Sequence, residues 1–136
     1  MALVVDTCVL LDLRLGDAVH GPPAVACLSA HAAQDLLICP VTLVELAPAF
    51  HGDALASRAW LEGLGINTTE PWTDADTLLA HQFWNDHVQR RRGGLAAKRP
   101  VADVLIGAFA VRFAGIITRN PRDFQVLAPA PALVVP

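Results

Sequence analysis

The chain has 136 residues, 54% of them hydrophobic and 17% charged, with a net charge of −3. This excludes a disordered chain, and the longest uncharged apolar run, Val104 to Val111, falls far short of the ~18 residues that a membrane-spanning helix needs. A mean hydropathy of +0.43 is more than an ordinary monomer carries and points to apolar surface covered by a partner. A single domain over residues 1–136 is expected at this length.

The opening run Met1 to Asp6 has no basic flank and no small-residue cleavage site, so it reads as a first strand over Leu3–Val5 and not as a secretion signal. Cys8, Cys27 and Cys39 lack metal-ligand spacing and suit reduced thiols in a cytoplasmic protein. Further strands are expected at Leu36–Cys39, Ile66–Thr69, Gly115–Thr118 and Leu133–Val135, where Val and Ile gather. Between them run segments of helical period. Pro22-Pro23 opens a helix from Ala24 to Ala33, and Thr42 with Glu45 has the form of a capping box. Residues Ala54 to Gly63 form another helix, stopped by Gly63 and Gly65. Thr73 and Asp76 start the longest, from Asp74 to Arg92, with an apolar face of Leu78, Leu79, Phe83, Trp84 and Val88. Pro100 opens a last, very apolar helix from Val101 to Phe113. Strands alternating with helices imply an α/β domain with a mainly parallel sheet.

Charge is distributed unevenly. The stretch from Arg90 to Arg122 holds eight basic residues and one acid, a local charge of +7, while the rest of the chain carries −10. Such a stretch is either a phosphate-binding face or a set of solvated helix ends. Four acids interrupt or end apolar stretches: Asp6, Glu45, Asp103 and Asp123. A carboxylate beside an apolar core needs a cation or hydrogen-bond donors. Taken singly, Glu45 reads as half of a capping box, Asp103 as a first-turn acid and Asp123 as a turn residue. Asp6 resists such a reading, because Thr7 already offers a helix cap. Taken together, the acids fall where a parallel sheet gathers its ligand, at the carboxyl ends of strands. An all-oxygen donor set suits Mg2+ or Mn2+ better than zinc. The five histidines read as surface residues, and Trp60, Trp72 and Trp84 as core or interface anchors.

Four motifs carry a family resemblance. Val4-Val5-Asp6-Thr7-Cys8-Val9-Leu10-Leu11 resembles the opening of PIN-domain ribonucleases, and Pro40-Val41-Thr42-Leu43-Val44-Glu45-Leu46 their second acidic motif. Residues Arg99 to Ala108 resemble the third, around Asp103, and Ile116 to Phe124 the closing one. The resemblance spans essentially the whole chain and implies a three-layer α/β/α fold with four to five short strands. It further implies a Mg2+-dependent (or Mn2+-dependent) endoribonuclease of VapC type: a homodimeric toxin held by a VapB-like antitoxin. By motif, Asp6, Glu45, Asp103 and Asp123 would be catalytic and metal-holding, with Thr7, Thr118 and Asn120 as supporting polar groups. Arg90, Arg91, Arg92, Lys98, Arg99, Arg119 and Arg122 would bind RNA. The competing reading is a non-catalytic PIN-like module that binds RNA or protein. A haloacid-dehalogenase-like phosphatase would need a second acid where Cys8 stands, and a receiver domain would need a lysine near the end of the sheet.

Overall fold

Strands form where the Val- and Ile-rich runs fall. In the computed structural model, which describes residues 1–95 and 101–136, these strands are β1 (Leu3–Val5), β2 (Leu36–Leu37), β3 (Ile66–Asn67), β4 (Gly115–Ile117) and β5 (Leu133–Val134). They pair in parallel in the order β3-β2-β1-β4-β5. The central strand sets Leu3 opposite Leu36 on one side and opposite Gly115 on the other. Such a sheet is covered on both faces, which is why its strands are unbroken apolar runs without alternation. Gly115 is demanded by close approach: a Cβ there would lie 2.6 Å from the Ala132 carbonyl oxygen beside it.

The helices are α1 (Thr7–Arg14), α2 (Gly21–Ala30), α3 (Pro40–Glu45), α4 (Ala54–Gly63), α5 (Asp74–Arg92), α6 (Val101–Ala110) and α7 (Arg122–Gln125), with a 3-10 turn at Ala47–Phe50. Alternate strand residues divide the core. Leu3, Val5 and Ile117 pack with Val9, Leu10, Ala24, Leu28 and Leu61 from α1, α2 and α4. Val4 and Ile116 pack with Ala80, Phe83, Val104, Phe109 and Phe124 from α5, α6 and α7. The result is the expected three-layer α/β/α arrangement. Each fully buried Phe or Ile contributes about 1.5–3 kcal/mol.

From β1 the chain steps outward to β2 and β3, then crosses to β4 on the other flank of β1. The order therefore reverses between β1 and β4, the point at whose carboxyl ends open parallel sheets bind ligands. On the far face, Arg112 just past α6 binds Asp76 in the first turn of α5. The two helices thus run antiparallel, and α5, nearly twice as long, extends past the start of α6.

Several expectations are corrected. Thr42 and Glu45 form no capping box: Pro40 opens α3 one turn earlier, so Thr42 is inside the helix and Glu45 is its last residue. The buried face of α5 is Asp76, Ala80, Phe83 and His87, leaving Leu78 and Trp84 turned outward. His87 is accordingly a core residue, not a surface one. The helix expected at 24–33 starts at Gly21, with both prolines in its first turn, and ends at Ala30. The last long helix stops at Ala110, three residues before the expected end. Lys98 and Arg99 lie outside the described residues.

Candidate acidic site at the carboxyl ends of β1 and β4

Asp6 leaves β1 with its backbone N–H still on the ladder, donated to the Ile117 carbonyl at 2.9 Å. Its side chain is buried and accepts three donors. Oδ1 takes the Thr7 backbone N–H at 2.8 Å, while Oδ2 takes the Thr118 hydroxyl at 2.7 Å and the Cys8 thiol at 3.2 Å. Asp6, and not Thr7, is therefore the N-cap of α1, which corrects the sequence reading. Burial nevertheless pushes the Asp6 carboxyl above its ordinary value. The donors from Thr118, Cys8 and Thr7 pull it back, and the nearby charge of Asp123 raises it further. A carboxylate in this state is under-compensated and favours a cation. Cys8 is tuned the opposite way for a nucleophile: burial, and then the Asp6 charge, push its thiol up to about 12, so it remains a protonated donor.

Freed from capping, Thr7 turns its hydroxyl to Glu45 on α3, donating to Oε1 at 2.7 Å. The buried Thr42 hydroxyl lies 3.1 Å from the same Thr7 oxygen. Glu45 is itself exposed, so Thr7 links a buried carboxylate on one side to a solvent-facing one on the other. Thr118, at the end of β4, accepts the Asn120 backbone N–H at 3.0 Å while donating to Asp6. Asn120 is exposed, and its carbonyl accepts the Asp123 N–H at 3.1 Å. Asp123 then sits half-buried in the first turn of α7.

Asp103 is placed by α6, which packs against both α3 and α7. It is half-buried, four residues before Gly107 and so on the same side of the helix. A Cβ at Gly107 would meet Leu127 at 2.5 Å and Phe124 at 3.3 Å. The missing side chain is thus what lets α7, with Asp123, lie against the helix that carries Asp103. Among the described residues no three His, Cys, Asp or Glu side chains stand close enough to form a ready metal cage. Asp6 and Glu45 meet through Thr7, Asp123 acts on Asp6 through space, and Asp103 belongs to the helix between them.

The arginines divide into two sets. Arg91, Arg92 and Arg122 are exposed, and Arg90 is half-buried in the last turn of α5. Arg119 is engaged by Asp12 through Nε at 2.7 Å and Nη2 at 3.1 Å. Asp12 and the donor role of Cys8 have no counterpart in the sequence reading, and Thr42 figures there only as a helix cap. The signal for Asp12 was an acid set between Leu11 and Leu13 four residues after Cys8, on a helix otherwise turned to the core.

No protein-family model matches the chain, and no curated protein matches it significantly in sequence. Among solved structures, a chain from the crystal structure of VapBC2 from Rickettsia felis, bound to a DNA fragment from their promoter, superposes with a TM-score of 0.72. The match covers 99% of this chain and 98% of that one at 16% sequence identity. At that identity the likeness shows a shared fold, the three-layer α/β/α arrangement around a parallel sheet.

Proposed function

We propose that this chain is a Mg2+-dependent endoribonuclease and the toxin of a type II, VapBC-like toxin–antitoxin pair. The observation that carries the reading is Asp6: a buried carboxylate at the strand-order reversal, still short of compensation after three donors, with Glu45 and Asp123 alongside. The donor set fits the ion. All candidates are oxygens, as a hard cation requires, and Mg2+ characteristically takes only one or two carboxylates and keeps several waters, which an open arrangement allows. Asp6, Glu45, Asp103 and Asp123 would hold it. When bound, the ion supplies Lewis-acid stabilisation of a phosphodiester and acidifies a bound water.

The remaining chemistry belongs to the protein. Thr118 and Cys8 fix the Asp6 rotamer so that its oxygens need no reorientation during the reaction. Thr7 does the same for Glu45. Arg90, Arg91, Arg92 and Arg122 would hold flanking phosphates, the first three from the end of α5 and Arg122 from the start of α7 next to Asp123. A groove of about 420 Å³ lined by Val41, Trp72, Ala80, Trp84, Val101 and Leu105 supports an apolar partner face, whether a second copy or the antitoxin. The second reading, a non-catalytic binding module, is favoured by one observation, the absence of three close ligands among the described residues.

Incubation of the purified protein with structured RNA in Mg2+ or in EDTA separates the two. Cleavage that needs Mg2+ and vanishes in Asp6→Asn supports the nuclease; RNA binding without cleavage in either condition overturns it.

A further inference from the structure

One side of α1 holds the segment that leaves β4. Cys8 and Asp12 are four residues apart and therefore neighbours on the helix surface. The Cys8 thiol donates to Asp6 at 3.2 Å, and its sulfur lies 3.8 Å from the Thr118 hydroxyl on the segment that leaves β4. One turn along, Asp12 accepts Arg119 Nε at 2.7 Å and Nη2 at 3.1 Å, a two-pronged grip that fixes the guanidinium plane as well as its distance. The Asp12 side chain is only 8% exposed, and a carboxylate that deep is strongly destabilising without its cation. The grip closes a sequence separation of 107 residues. The gripped residue lies between Thr118, which donates to Asp6, and Asn120, whose carbonyl anchors Asp123.

We propose that Asp12 and Arg119, with Cys8, form a clamp that fixes the β4–α7 segment on α1, making Arg119 a positioning residue for Asp6 and Asp123 and not a contact to RNA. The inference rests on the metal-centre reading above. As a positioning device the clamp acts as one unit, so removing either partner releases the segment as fully as removing both. It also lowers the positive charge free to meet phosphate, since one arginine of the basic stretch already faces an acid.

The test uses Arg119→Gln, Asp12→Asn and the double variant, with Arg122→Gln as an exposed-arginine control. Mn2+ affinity is read by electron paramagnetic resonance without RNA, and RNA affinity is read across a salt series. Each single clamp variant is expected to weaken Mn2+ binding on the order of tenfold, as loss of a ligand-orienting partner does, with the double no worse than either. RNA affinity and its salt slope stay at the wild-type values, while Arg122→Gln weakens RNA binding and lowers the slope by about one. The proposal is overturned if Arg119→Gln lowers the salt slope as Arg122→Gln does and leaves Mn2+ binding intact. It is also overturned if Asp12→Asn has no effect on Mn2+. If the wild type binds no Mn2+, the metal-centre reading fails, and amide exchange over residues 119–124 decides the clamp alone. Faster exchange in both singles, and no faster in the double, upholds it; unchanged exchange overturns it.

Discussion

Strand β4 has an arginine paired with a buried aspartate beyond each end, and the two pairs do different work. Before its amino end, Arg112 donates to Asp76 at 3.1 Å, to Glu70 at 3.2 Å and to the Pro71 carbonyl at 2.7 Å. Its guanidinium also lies over the rings of Phe109 and Phe113. Asp76 simultaneously closes the capping box with Thr73. Everything at this end is mutually satisfied and ties α5 to α6. Past the carboxyl end, Arg119 and Asp12 are equally well matched, but their neighbours are Asp6, Cys8 and Thr118, where burial leaves a carboxyl out of balance. The same ion-pair chemistry therefore holds architecture at one end and borders a carboxyl raised by burial at the other. It also shows why a count of basic residues overstates a phosphate-binding face: two of the arginines in the +7 stretch are already committed to buried acids.

The contrast can be broken most directly at Asp6. Asp6→Asn is expected to lower RNA cleavage on the order of a thousandfold or more, measured in single turnover, with the fold retained by circular dichroism. Arg112→Gln should act in the opposite category. It leaves Asp76, 3% exposed, without its cation and is expected to reduce unfolding stability by about 3 kcal/mol in urea titration, with Mn2+ affinity unchanged. A fall in Mn2+ affinity in that variant would erase the distinction between the ends. Gly115→Ala, also at the amino end, forces a methyl group against the Ala132 backbone and should cost about 1–3 kcal/mol, again with no effect on metal binding.

The smallest effect lies in alkaline solution. Cys8 and Cys39 have thiols pushed up to about 12 from 9.0, in each case chiefly by burial. A folded pKa above the unfolded one means that this stability is fully present below pH 9 and drains away as pH rises towards 12. Urea midpoints should accordingly be flat in thiol-dependent terms up to pH 9 and then decline. Cys8→Ser should remove the share from the carboxyl end of β4 while the Cys39 share persists.

Much of this was legible from sequence for physical reasons that can be named. The strands at Leu3–Val5 and Gly115–Ile117 are unbroken apolar runs, and a buried parallel sheet permits little else. Thr73 with Asp76 correctly marked the start of α5, where the two also close a capping box although Pro71 lies two residues ahead. The same pattern at Thr42 and Glu45 misled because Pro40, itself a strong first-turn residue, had already opened the helix. The apolar face of α5 was misplaced because Asp76 and His87, both polar, occupy its inward side while Leu78 and Trp84 face out. Asp6 and Thr118, both singled out from sequence, meet at the carboxyl ends of β1 and β4, where Thr118 donates to Asp6. The partner of Asp12 was not legible, since Arg119 lies 107 residues away, and the Cys8 thiol's second neighbour, Thr118, lies 110 away.

That long reach has a consequence for how the protein comes into being. Thr118 donates to Asp6 across 112 positions of sequence, and Arg119 reaches Asp12 across 107. A nascent chain still lacking β4 has Asp6 without its strongest donor, Asp12 without its cation, and no Asp123. During synthesis the acidic corner therefore stays unbuilt until the segment after β4 has cleared the ribosome. On the proposed nuclease reading, the site is thus incomplete for nearly the whole of the chain's translation.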